Sequence, residues 1–225
     1  TNLNTLNAIQ RKTNFEWISY CVKKLKEKNN MHIHLDLIAG LPLEDLESFK
    51  KSLNDVHALE PHQLQLGFLK VLKGSGMENL CSKYGILSSP YPPYEVLKTA
   101  CLPYNDVITL KCVEEMVEIY YNTNRFRNSS NYLKNNFSTP FDFYNALSTY
   151  KKQKGVISLV NNKQYSYAFL IEFAENLNIN LEKLRWLIKF DMLLHENLRT
   201  TPVWLPLPTI ENHDKIYTFL TKNPS

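Results

Sequence analysis

Polar and apolar residues alternate through "HIHLDL", residues 32–37: His32, His34 and Asp36 fall on one face, Ile33, Leu35 and Leu37 on the other. Period two is the mark of a strand, because successive side chains leave a pleated backbone on opposite sides. The pattern ends at Gly-Leu-Pro, residues 40–42, and the period becomes helical over 43–59. There Leu46, Phe49, Leu53, Val56 and Leu59 share a stripe, while Glu44, Asp45 and Glu47 crowd the first turn, where a helix dipole favours them. Alternation returns in "HQLQLGF", residues 62–68, with Leu64, Leu66 and Phe68 opposite Gln63, Gln65 and Gly67. A further helical stretch over 3–29 carries Phe15, Ile18, Cys21, Val22 and Leu25 at helical spacing. The order helix, strand, helix, strand predicts a parallel pair joined by a right-handed crossover, hence an α/β fold.

Beyond Pro93 the pattern changes. Residues 88–104 form a proline-rich crossing segment, and helical periods follow over 106–122, 126–135, 139–154, 166–176, 181–197 and 210–221. Pro140 suits a first helical turn and Asn180 suits an N-cap. The expected organisation is α/β over residues 1–90 and all-helical over 95–225.

Composition narrows the function class. With 44% apolar and 21% charged residues the chain is an ordinary globular protein. Its 6 glycines favour long helices over a many-stranded sheet, and 13 Tyr, 11 Phe and 3 Trp predict a core of packed rings. The net charge of +4 is spread along the chain without a basic stripe, so no nucleic-acid partner is expected. No apolar run reaches the length of a membrane span, so no membrane partner is expected either. The four cysteines, at 21, 81, 101 and 112, lack metal-ligand spacing; Cys21 and Cys112 read as small buried residues in a reduced, cytoplasmic protein. The chain opens on Thr1 rather than Met, which reads as a piece of a longer protein.

Both strands carry an apolar face and a polar one. Barrel interiors are usually packed with branched aliphatic residues. A polar inner face bearing His34, Asp36, Gln63 and Gln65 therefore predicts a hollow, ligand-holding lumen. His32 and His34 also open a metal-hydrolase reading, which would need ligands from other strands. Asp191 and His195, four apart on one helix, read as a buried polar clasp with Arg199 and the Trp204 loop.

"LDLIAGLP" with its acidic helix start, followed by "ALEPHQLQLGFLKVLKGSGM", resembles the late barrel strands of radical S-adenosylmethionine enzymes. It is similar above all to the cobalamin-binding members and to the oxygen-independent coproporphyrinogen oxidases. "TNLNTLNAIQRKT" looks like the segment after the preceding strand of that barrel, and "KVLKGSGM" like a loop that more often reads Gly-Thr-Pro-Met. "CLPYNDVITLKCVEEMVEIYYNTNRF" and "KFDMLLHENLRTTPVWLPLP" resemble the helical C-terminal extension of one cobalamin-binding subfamily.

The resemblance implies a partial TIM-like (β/α) barrel followed by an all-helical domain. It implies that Arg11 binds the carboxylate of S-adenosylmethionine, that Asp36 holds the ribose hydroxyls, and that Gly40 belongs to the same cofactor site. His34, Gln63 and Gln65 would line the lumen against an unknown substrate. It also implies a [4Fe–4S] cluster and cobalamin, both held outside this chain, since the cluster motif CxxxCxxC is absent. The chain would then be an incomplete part of an iron–sulfur oxidoreductase, inactive without the rest of the barrel and prone to self-association through unpaired strand edges. A helical module that binds substrate or a partner without chemistry of its own remains the alternative.

Overall fold

The computed structural model describes residues 1–159, 163–196 and 202–205. Helix α1 (Leu3–Ala8) is capped by Asn2, whose side chain accepts from the backbone N–H groups of Asn4 and Thr5. Helix α2 (Phe15–Lys28) is capped by Asn14 and ends on Asn29 in the left-handed region. The single helical stretch expected over 3–29 is thus two helices, broken where Gln10 takes a φ of +56° and Asn14 offers a capping oxygen.

Strand β1 (His34–Ala39) is followed by α3 (Leu46–His57) and β2 (Gln63–Phe68), and the two strands pair in parallel. His34 lies opposite Gln63, and Asp36 opposite Gln65. Asp45 caps α3 through the Ser48 N–H, and Phe49, Leu53 and Val56 bury its inner stripe. The two middle strand residues that carry the pair's inner packing, Leu64 and Leu66, are buried with them.

Past β2 the chain departs from expectation. The loop "KVLKGSGM", residues 70–77, leads into α4 (Gly76–Tyr84), and the proline-rich crossing contains β3 (Leu87–Ser88) and β4 (Val96–Lys98), paired antiparallel. Glu78 supplies the reason for α4, since its carboxylate reaches back to the Gly74 N–H at 2.6 Å and fixes the entry turn. Leu69, Val71, Ile86 and Val96 close a small core beneath.

Helix α5 (Tyr104–Val117) runs into a π-helical turn, Glu118–Asn122. Then come α6 (Arg127–Lys134), α7 (Pro140–Gln153), α8 (Lys163–Asn176) and α9 (Leu181–His195). Pro140 stands in the first turn of α7 and Asn180 caps α9, both as the sequence predicts. The helix expected over 210–221 lies outside the described residues. Among the described residues the architecture is mixed and rich in helix, with a few short strands.

The chain divides into two compact units. The first, Thr1–Asn122 with Phe137–Lys154, holds the four strands found among the described residues; α5 packs on β2 and β4, and α7 packs on α5 and α3. Its ring-rich core includes Phe49, Phe141, Phe143 and Tyr144, all essentially inaccessible. The second, Thr123–Asn136 with Gly155–Ser225, packs α6 and α8 against α9. There the buried Asp191 carboxylate caps α6: it accepts from the backbone N–H of Asn128 and Ser129, from the Asn128 amide and from the Ser129 hydroxyl. Its expected partner His195 is exposed instead, and Arg199 lies outside the described residues. Cys21 and Cys112 are half-buried rather than buried.

Candidate functional site

The π-helical turn decides which edge of the sheet is closed. By inserting an extra residue per turn it swings Asn122 toward β2, where the side-chain amide both accepts from the Leu64 N–H (2.9 Å) and donates to the Leu64 C=O (3.0 Å). Tyr121 adds a hydrogen bond from its hydroxyl to the Pro61 carbonyl. A side chain thus stands where a neighbouring strand would bond. The opposite edge is different. The carbonyls of Ile33 and Ala39 face β2, so the alternation of a strand directs the backbone groups of His34, Asp36 and Ile38 away from it. Among the described residues no strand pairs there.

Alongside this open edge lies a cavity of about 300 Å³. Arg11, from the link after α1, and Asp36, from β1, both line it. The sequence places them 25 positions apart (36 − 11); the fold brings them to one space. Arg11 is fixed at the backbone by its N–H to the Leu6 carbonyl, 2.9 Å. The floor is apolar, from Leu6, Phe15, Leu35 and Phe49. Two polar groups in it escape sequence reasoning. Thr5 is 3% exposed, and its hydroxyl has no hydrogen-bond partner. Glu44 is 5% exposed; burial raises its carboxyl from the usual 4.5 to about 6, against the opposing pull of the chain's amino group and a Ser52 hydrogen bond. Glu44 and Ser52 stand eight apart, on the inner stripe of α3 and its lead-in. That spacing marks a carboxylate that turns inward, where composition alone suggested a dipole charge at the surface.

The polar face of the sheet opens on a second cavity of about 400 Å³, which shares Asp36 with the first. Gln65 is exposed there beside Asp36. Gln63 is half-buried opposite His34 and, like His34, lies at the strands' entry end, outside the lining of either cavity. The far wall comes from Lys70, Glu95, Lys111 and Glu114. Gly40 lines neither cavity. Its φ is +84°, and a Cβ there would fall 2.6 Å from Val96 Cγ1, so glycine is required by backbone and by packing.

His32 and His34 bond to each other, Nδ1 to Nε2 at 2.7 Å, and His62 accepts from the Ile33 N–H. No group of three His, Cys, Asp or Glu side chains among the described residues is arranged to hold a metal ion. The hydrolase reading therefore lacks its ligand set there. Among the described residues no helix is long and apolar enough to cross a membrane.

A family model described as "Protein of unknown function (DUF4080)" matches residues 82–225. The chain belongs to this family. The DUF4080 match begins within α4 and takes in β3, β4 and every later element, so Glu95, Lys111 and Glu114 come from the family region while Arg11, Asp36 and Gln65 precede it. No curated protein matches the chain.

Proposed function

We propose that this chain forms part of the S-adenosylmethionine pocket of a radical S-adenosylmethionine enzyme, with β1 and β2 as adjacent strands of its barrel. The observation that carries this reading is the shared cavity: a forked cation and a strand-borne carboxylate, distant in sequence, line one space with an unsatisfied buried hydroxyl. The association of DUF4080 with radical S-adenosylmethionine and cobalamin proteins supports it. So does the open edge of β1, where a further parallel strand would wall the cavity.

The residue types suit the ligand. Guanidinium geometry matches a carboxylate bidentately, which suits Arg11 to the amino-acid end. A carboxylate accepts from both hydroxyls of a ribose diol, which suits Asp36 to the nucleoside. The Thr5 hydroxyl offers one further donor. When bound, S-adenosylmethionine supplies a sulfonium whose carbon–sulfur bond can be cleaved reductively. This chain's part is to orient the nucleoside and to exclude water with the apolar floor. Among the described residues the iron–sulfur cluster finds no fit, because Cys21, Cys81, Cys101 and Cys112 do not converge there with other ligands. That group and cobalamin belong, on this reading, to the rest of the enzyme.

Calorimetric titration with S-adenosylhomocysteine tests the assignment, using 5′-methylthioadenosine as a ligand without the amino-acid end. Arg11→Ala should weaken S-adenosylhomocysteine about tenfold and leave methylthioadenosine unchanged, whereas Asp36→Asn should weaken both. Equal binding by all three proteins, or no binding by any, would overturn the reading.

A further inference from the structure

The cavity on the sheet's polar face has a wall that the cofactor reading does not use. Two of its charges are already matched: Lys111 pairs with Glu95, and its ammonium also sits 4.4 Å from the centre of the Phe68 ring. Lys70 is exposed to solvent. Glu114 differs. It is half-buried on α5, and its carboxylate makes no hydrogen bond or ion pair among the described residues. Burial, then the neighbouring Glu118, raises its pKa, with Lys111 only partly offsetting them. A carboxylate in that position gains from any cation brought to it. Beside the polar Asp36 and Gln65, the side chains of Ile38 and Phe68 and the backbone of Gly67 offer apolar surface for the body of an organic molecule.

We propose that this cavity of about 400 Å³ is the substrate site, and that Glu114 receives an ammonium or amidinium group carried on an apolar body. Identifying the occupant as the substrate rests on the reading of Asp36 above, because Asp36 lines both cavities and would set the nucleoside against this one. The cation site at Glu114 does not depend on it. Because α5 lies in the DUF4080 region, the selectivity for a cationic substrate is a property of that region rather than of β1 and β2.

The probes are n-hexylamine, hexanol and hexanoate, titrated against the full chain at near-neutral pH and followed by chemical-shift changes of the Ile38 methyl groups. Wild type should bind hexylammonium about tenfold more tightly than hexanol, and hexanoate more weakly than either. Glu114→Gln, and Glu114→Ser as a second variant, should lose that tenfold preference while keeping the hexanol affinity, which also shows that the variants are folded. Asp36→Asn, which removes a second carboxylate from the lining, should lessen the preference less than Glu114→Gln does. Amine binding unaltered in Glu114→Gln, lost instead in Asp36→Asn, or absent in wild type would each overturn the site. If S-adenosylhomocysteine fails to bind while the Glu114-dependent preference remains, the cofactor reading falls and the cation site stands.

Discussion

A carboxyl group removed from water shifts toward its neutral form unless a cation compensates, and Glu44 is the clearest case in this molecule. Unfolded, it loses its proton near the usual 4.5; folded, near 6. Between those values the native state binds more protons than the unfolded one, so the group's contribution to stability falls as pH rises through the window and levels off above it. The full cost, from a shift of about one and a half pH units, is about 2 kcal/mol. Glu44→Gln should therefore be the more stable protein by about 2 kcal/mol at neutral pH, with the advantage vanishing below about pH 4.5. Urea titrations of both proteins at paired pH values measure it, and a difference independent of pH would sink the assignment. The same residue shows where sequence reading stops. Three acidic positions opened α3, and their composition was legible; only packing distinguishes Asp45, which caps, from Glu44, which turns inward.

Elements were legible where one period dominates and obscure where a side chain substitutes for backbone. The parallel pair of β1 and β2 follows from alternation and spacing, and Pro140 and Asn180 marked two helix starts. The π-helical turn carries no such signal, because Asn122 acts through a hydrogen-bonding geometry that periodicity does not encode. Its consequence is local and strong. Leu64 is fully buried, and without the Asn122 amide its N–H and C=O would both lack their partner. Asn122→Ala should cost roughly 2 kcal/mol, since an orphaned buried backbone group is expensive and the cavity left behind admits only partial repair by water. Hydrogen exchange at the Leu64 amide should quicken in the same variant. An unchanged midpoint with unchanged exchange would mean that the amide is not what closes this edge. Asp191 teaches the same lesson from the second unit: its helical spacing to His195 suggested a pair, yet the carboxylate caps α6, an element some sixty residues earlier in the chain.

For the whole molecule, the two edges of one small sheet have opposite fates, and that asymmetry governs how the chain meets others. The outer edge of β2 is occupied by Asn122, and the strand end continues into antiparallel contacts through the Leu69 carbonyl and the Val71 N–H. The outer edge of β1 is thinly guarded: no proline, no lysine and no bulge interrupts His34–Ala39, and Asp36 is its one carboxylate. Beside it lie the apolar floor of the first cavity and the exposed side chains of Ile38 and Leu3. An edge of this kind pairs with whatever strand is available, a second copy of this chain included. The isolated chain should therefore associate as its concentration rises, and sedimentation or light scattering measures the effect directly. Ile38→Lys places a charge beside the unpaired backbone at a side chain already 39% exposed. It should shift the association to higher concentration by about tenfold or more, while the same substitution at the exposed Leu87 of β3 should change little. A wild-type chain that stays monomeric throughout, or an Ile38→Lys chain that associates as readily as wild type, would show that β1 is not the surface through which the chain associates.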